Sequence, residues 1–498
     1  MLVSTPIEFL ENQEQFMVVN GPAGTGKTSL ISKLVEESEK LGLSYDAIAY
    51  TGKAASNLRS KTNGTGKTIH SFLYTYDYIQ KDDADDWRRQ RIVKFDELDI
   101  LFVDEASMIS SSVEGFRVNK TETYLLQELL SAVKNKKIKK IMLVGDSHQL
   151  PPIIEERKVY DDETTNAEII SDNSESLFPD SMNEEILRAK FGLSGNSFNL
   201  SQNWRYDDGL PSYKLSIDLR KDITIRDSVK SSPKKWIVKK TGRNKLIENK
   251  DEVIDWVIKK GSDSSFNNVR ILTFTNEKAS EWNRRLRKKL GRIDTSTGEV
   301  AEISINEPMM NLINKEYSQF YNGDSFVIKE LLDNPLPLKG DSDCEVHGSC
   351  KRSADRPSSL YVQKAKIDVY NENISYEKIV SLINRGVAPN DSKLIKAYGH
   401  RLWCDFATRN ESLYKKSSES MEAQKMWDDA RNNDEVYATG IASYAYASTV
   451  HKTQGDSFEY IVIDLEDEQK NLKWLYTALT RSNKDFILYG KKSIRDWF

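Results

Sequence analysis

The sequence predicts an α/β fold built on doubly wound parallel sheets, and three observations carry that expectation. Short apolar runs ending in Gly or acidic residues recur along the first half: "FMVVNG", "YDAIAYTG", "LDILFVDE" and "IKKIMLVGD". Helical patterning separates them, first from Lys27 to about Leu41. The same rhythm returns near the end, in "YAYASTVHKTQGDSFEYIVIDL". In such sheets ligands sit at the carboxyl ends of the strands, so the polar residues there are the candidates for chemistry.

The elements follow in order. From Ile154 to about Glu185 the chain is acidic and Ser/Asn-rich, as an exposed insertion would be. A second strand–helix series starts near Phe198 and includes "VRILTFTNEKASEWNRRLRKKL". From about 300 to 435 the rhythm is lost, which predicts an inserted, partly β module containing the turn "YNGDSFVIKE". A length of 498 residues accommodates about two to four domains. With 38% apolar and 30% charged residues and no long apolar run, the composition points to a soluble protein without a membrane span. The N-terminal "MLVSTPIEFLENQEQ" lacks the basic-then-apolar order of a signal peptide, and three Cys argue against a disulfide framework, so a cytoplasmic location is expected. A net charge of −4 neither suggests nor excludes nucleic acid, which needs only a local basic strip.

Gly21-Pro22-Ala23-Gly24-Thr25-Gly26-Lys27-Thr28 fits the pattern of a phosphate-binding loop and lies between a strand and a helix. Its backbone N–H groups would cradle phosphate, Lys27 would reach the β- and γ-phosphates, and the Thr28 hydroxyl would ligate Mg²⁺. "ILFVDEAS" supplies Asp104 to orient the metal and Glu105 to polarise the attacking water. In "LVGDSHQLPPI", Asp146 and Gln149 are candidates for sensing the γ-phosphate, the bland alternative being a Gly-Asp turn closed by two prolines.

The ordered set "GPAGTGKT", "VDEAS", "GDSHQLPP", "NWR", "STVHKTQG" and "YTALTRS" resembles superfamily 1B helicases of the RecD/Dda branch, from Val19 to about Tyr489; "FTNEKASEWNRRLRKKL" and "YNGDSFVIKE" are most similar to phage Dda-type members. The resemblance implies ATP and Mg²⁺ held between two RecA-like domains, with single-stranded DNA crossing both. The first domain would comprise 1–70 and 99–185, with a pin-bearing insertion at 71–98. The second would comprise 186–300 and 436–498, with an inserted, partly SH3-like module at 301–435. Arg205 and Arg481 match the arginines that reach the γ-phosphate, and the second domain is expected to supply this charge. Gln454 and Gly455 match positions near that phosphate. Thr449, His451 and Lys452 would face or support the DNA backbone, a packed core histidine being the alternative for His451. Thr51, Thr275 and Asn276 match phosphate-contacting strand ends. Trp87 falls where related enzymes place the duplex-splitting side chain of a pin; packing on the domain surface is the alternative.

A second "GTGKT", Gly64 to Thr68, has Lys61 where a phosphate loop needs Gly, and no apolar strand before it. Thr68 and His70 match a family segment that contacts DNA, with Gly64 and Gly66 as a flexible turn and Lys61 and Lys67 as phosphate attractors. Family members carry an adenine-reading Gln upstream of the loop; Gln13 and Gln15 sit too close to it, so weak discrimination among nucleoside triphosphates is expected. Cys344, His347, Cys350, His400 and Cys404 are candidate zinc ligands, free thiols being the alternative. The run Val133–Lys140 is expected to be a solvated helix end. The function implied is an ATP-dependent helicase moving 5′ to 3′ on single-stranded DNA. It would act as a monomer at single-strand/duplex junctions, with a single-stranded-DNA-binding protein or other replication and repair proteins as possible partners. The alternatives are a translocase that unwinds little and a phosphate-loop regulatory module.

Overall fold

The computed structural model describes residues 5–62, 64–80, 87–93, 96–109, 114–118, 121–123, 125–150, 158–159, 168–169, 179–204, 210–226, 233–241, 245–262, 266–292, 303–313, 323–338, 361–371, 374–383, 392–466 and 471–490. The chain divides into two compact units: 1–77, 90–207 and 218–230 form the first, and the rest forms the second.

The first unit is built on a six-stranded sheet, parallel throughout, in the order Gly195–Asn199, Phe16–Asn20, Ile138–Gly145, Leu98–Asp104, Tyr45–Ala49, Lys67–Thr68. Its central strands are apolar on both faces because helices cover both. Phe16, Val18, Leu101, Val103, Ile141 and Leu143 pack with the helix Leu125–Lys134 on one side. Met17, Val19, Ile100, Phe102, Met142 and Val144 pack with the helix Lys27–Lys40 on the other. Each such buried side chain contributes about 1.5–3 kcal/mol. The sheet therefore presents its strand ends, rather than its faces, to any ligand.

Two boundaries differ from expectation. Gly195–Asn199 pairs in register with Phe16–Asn20, so the first core runs past the boundary at 186. "GNSFN" carries one large apolar residue and reads as a loop, yet an edge strand needs only backbone pairing. Gly195 is required there, since a Cβ would fall 2.1 Å from the Phe16 carbonyl oxygen. In the pin region, Tyr74–Gln80 and Trp87–Val93 form a two-stranded sheet. Trp87 opens the second strand; its side chain lies outside the described residues.

The second unit carries a five-stranded parallel sheet in the order Leu246–Ile247, Ser482–Tyr489, Phe458–Asp464, Val269–Thr273, Ala447–Thr449. Within the stretch that loses the parallel rhythm lies an antiparallel sheet in the order Ile374–Ile383, Tyr361–Asn371, Ser325–Pro337, Pro308–Asn311, Ala442–Tyr444. This insertion closes at Tyr444 rather than at 435, because Ala442–Tyr444 pairs back onto Pro308–Asn311. It also contains the helices Ser392–Arg409, Glu411–Lys416 and Met421–Asn432.

Among the described residues, no helix is long and apolar enough to cross a membrane, and no cluster of His, Cys, Asp or Glu could hold a metal ion. Cys344, His347 and Cys350 lie outside the described residues. Cys404 is buried one helical turn from His400, with Sγ 3.4 Å from Nδ1.

Candidate nucleotide and nucleic-acid site

Phe16–Asn20 delivers the chain into the glycine-rich loop, and the helix Lys27–Lys40 leaves it. Gly24 and Gly26 adopt left-handed φ values of 86° and 78°, which glycine does without strain. Gly21 allows close approach: a Cβ would lie 2.6 Å from Thr25 Oγ1 and 2.9 Å from Leu200 Cβ. The buried Lys27 curls over the loop, its Nζ donating to the carbonyls of Gly21 and Pro22 at 3.0 Å each. Thr28 Oγ1 donates to Asp104 Oδ2 at 2.9 Å, joining the loop to the strand Leu98–Asp104. Glu105 follows at a left-handed φ of 51°, a conformation costing a non-glycine residue about 1–3 kcal/mol. A loop with this backbone, an ammonium held over it and two hard oxygen donors at its end fits a nucleotide's phosphates with Mg²⁺.

The third strand end is tied inward. Asp146, fully buried, accepts from Arg220 and from the His148 backbone N–H at 3.1 Å, while the Gln149 N–H donates to the Asp146 carbonyl at 3.1 Å. Asn20 Oδ1 accepts the Ser147 N–H at 3.1 Å, so this turn is fastened to the strand that feeds the loop. Arg220 was not legible beforehand: it is one charge among several on the helix Pro211–Arg226, which has no clear apolar stripe. Arg205 lies outside the described residues. Trp204 just before it donates its N–H to Gly24 O at 2.9 Å within the first unit, so the chain leading to Arg205 belongs there and not to the second domain.

In the second unit the segments "STVHKTQG" and "YTALTRS" meet. Arg481 is buried, with Nη1 donating to the carbonyls of Thr453 at 3.1 Å and Asp456 at 3.0 Å. Its Nε donates to Thr477 O at 3.1 Å and its Nη2 to Thr480 Oγ1 at 3.0 Å. The guanidinium thereby clasps the turn holding Gln454 and Gly455, the latter at a φ of 84°.

A model of the AAA domain matches residues 6–168, and one of the UvrD-like helicase C-terminal domain matches residues 444–489. The ATP-dependent RecD2 DNA helicase of Deinococcus radiodurans is 31% identical over 139 residues, 28% of this chain and 16% of its own length. The ATP-dependent DNA helicase Pif1 of Campylobacter jejuni is 29% identical over 153 residues, 28% of this chain and 30% of its own. The match thus spans less than a third of either relative. The ATP-dependent DNA helicase dda of Enterobacteria phage T4 is 21% identical over 489 residues, covering 96% of this chain and 94% of its own. Together these matches support a helicase of superfamily 1B, the RecD/Pif1/Dda type.

The remaining positions matched to this superfamily 1B pattern fall at strand ends and helix caps. Thr51 caps the helix Gly52–Lys61, accepting the Ala54 N–H at 3.1 Å. Thr275 caps Asn276–Lys289, accepting the Lys278 N–H at 3.3 Å. Thr449 pairs with Thr273 across the sheet, bringing "STVHKTQG" beside the Thr275 cap. Burial pushes the His451 imidazole down to about 4 and the Lys452 amine down to about 8. His451 Nδ1, Asn276 Oδ1 and Ser448 Oγ are buried without hydrogen-bond partners among the described residues. Ser448 was missed from sequence because its neighbours carry the motif.

The second "GTGKT" is pinned rather than flexible. Gly66 O accepts from Arg59 Nε at 3.0 Å and Nη2 at 2.6 Å, and Lys67 Nζ pairs with Asp46 Oδ2 at 2.7 Å instead of standing free for phosphate. Thr68 caps the helix Ile69–Leu73 by accepting the Ser71 N–H at 3.1 Å, and His70 lies between the rings of Tyr50 and Tyr74.

Proposed function

We propose that the chain is an ATP- and Mg²⁺-dependent DNA helicase that moves 5′ to 3′ along single-stranded DNA and unwinds single-strand/duplex junctions. The hydrogen bond between Thr28 and Asp104 carries this reading, because it sets the phosphate loop's hydroxyl and the acidic strand end side by side, where both could serve one Mg²⁺. Lys27 would exchange its two loop carbonyls for phosphate oxygens, and Glu105 would polarise the attacking water. Mg²⁺, when bound, neutralises charge developing on the phosphates. Arg205 and Arg481 would add positive charge there, Arg481 after giving up its carbonyl partners. The capping threonines Thr51 and Thr275, with Asn276, Thr449 and His451, would hold the DNA backbone without reading sequence.

Strand displacement on substrates with a 5′ or a 3′ tail tests the reading. Unwinding of the 5′-tailed substrate alone, lost in Lys27→Ala, is expected. Activity restricted to 3′ tails would overturn the polarity. ATPase stimulated by single-stranded DNA without displacement on either substrate would replace unwinding with translocation.

A further inference from the structure

The helix Asn276–Lys289 starts at the Thr275 cap and ends in a buried polar junction. Asn283 and Arg287, one helical turn apart and both buried, carry that junction. Arg287 Nε donates to the buried Glu307 Oε1 at 2.6 Å, and its guanidinium carbon lies 3.7 Å from the centre of the Tyr444 ring. Glu307 Oε2 accepts the Ser304 N–H at 3.0 Å. Asn283 Nδ2 donates to the carbonyls of Tyr444 at 2.8 Å and Ala447 at 3.1 Å, and its Oδ1 accepts the Ala447 N–H at 2.8 Å.

These partners sit where the chain crosses between the two sheets of the second unit. Glu307 directly precedes Pro308–Asn311, by which the chain enters the antiparallel sheet, and Tyr444 ends Ala442–Tyr444, by which it leaves. Ala447 opens the strand that ends at Thr449. One helix therefore grips both crossings, while its own cap lies beside Thr449. Apolar packing runs through the same junction: Ile271 and Val462 of the parallel sheet share a core with Met309, Phe326 and Ile367 of the antiparallel one. Apolar burial is non-directional, whereas a buried ion pair repays its desolvation only in good geometry, so the pair sets the angle that the core alone leaves open.

We propose that Arg287 and Glu307 are positioning residues for the DNA grip: their ion pair locks the entry strand of the antiparallel insertion to the helix that begins at Thr275 and Asn276, and so holds those groups and Thr449 in register for successive phosphates. This rests on the reading of Thr275, Asn276 and Thr449 as DNA contacts. Binding of oligothymidylate and of N-methylanthraniloyl-ADP to the full chain, with urea unfolding alongside, tests the proposal. Arg287→Met is expected to raise the oligothymidylate Kd about tenfold and to leave the nucleotide Kd within about twofold, since the phosphate loop lies in the first unit. Replacing both partners of a buried pair by apolar groups is tolerated in folding, so Arg287→Met combined with Glu307→Leu should fold. Its DNA affinity should match that of Arg287→Met rather than fall further, because both changes break one contact. A purely structural role would lower urea stability and leave the oligothymidylate Kd of the folded chain unchanged. That result, equal weakening of both ligands, or additive losses in the double variant would overturn the proposal. Should Arg287→Met fail to fold, the double variant decides alone: weakened DNA binding with intact nucleotide binding supports the proposal, and wild-type DNA binding overturns it. A wild-type chain that binds nucleotide but no oligothymidylate would instead overturn the DNA-contact reading itself.

Discussion

The two copies of "GTGKT" share five letters and almost no structure. In the first, both glycines take φ values near 80°, the lysine bends back over the loop, and a 14-residue helix begins at Lys27. In the second, Gly64 and Gly66 sit at 100° and 151°, Lys67 and Thr68 form an edge strand beside Ile48 and Ala49, and a five-residue helix follows. What separates them is the chain on either side. The first copy follows a buried strand flanked by strands on both sides; the second follows the helix Gly52–Lys61, whose Arg59 grips its backbone. A lysine goes wherever the nearest oxygens are, and only the first copy leaves those oxygens as exchangeable loop carbonyls.

The lysines give the largest test of the contrast. Lys27→Ala is expected to lower ATP hydrolysis by at least about a hundredfold, since a charge aimed at the transferred phosphate is lost. Lys67→Ala is expected to leave hydrolysis within about twofold. Its partner pair is half exposed on the lysine side, so stability should fall by no more than about 1 kcal/mol. Steady-state ATPase and urea unfolding of the two variants measure both. Equal losses of hydrolysis would mean that the second copy also serves the nucleotide.

The legible parts of the molecule are those whose chemistry forces a local spelling. A phosphate loop needs glycines where φ is positive, and its metal acid needs a strand end, so Gly24, Gly26, Thr28 and Asp104 could be placed from text alone. The less legible parts are partnerships between residues far apart in the chain. Arg220 reaches Asp146 across 74 positions, and nothing near either residue announces the pair. Lys140 was expected in solvent with the rest of its basic run. Lys139 is exposed and pairs with Asp99, but Lys140 Nζ donates to Phe9 O at 2.6 Å and fastens the N-terminal segment. The cage of carbonyls around Arg481 was hidden for the same reason: backbone acceptors have no letter in a sequence.

The glycines provide an intermediate effect. A Cβ on Gly66 would meet Arg59 N at 2.5 Å and Ala55 O at 2.7 Å, both backbone atoms unable to swing aside. With φ at 151° in addition, Gly66→Ala is expected to destabilise the first unit by roughly 3 kcal/mol. Gly64→Ala carries the strain of φ at 100° but meets open space, and should cost roughly 1 kcal/mol. Thermal melting of the two variants orders them. If Gly64→Ala proves the worse, the second copy is held by its turn and not by the close approach to the helix Gly52–Lys61.

The threonines separate the copies most finely. Thr28→Ala removes a hydroxyl aimed at Asp104 and should cost Mg²⁺-dependent hydrolysis far more than stability. Thr68→Ala removes a helix cap that accepts the Ser71 N–H, a change worth about 1 kcal/mol of stability. Substitution by Ser tells cap from contact. Thr68→Ser keeps the capping oxygen, so stability should return to within a few tenths of a kcal/mol of wild type. If Thr68 also touches DNA through its hydroxyl, single-stranded DNA affinity should return with it, whereas a contact through the methyl group would stay lost. Denaturation and DNA binding measured on Thr68→Ala and Thr68→Ser together therefore show whether the second copy is scaffold alone or scaffold that also holds a phosphate.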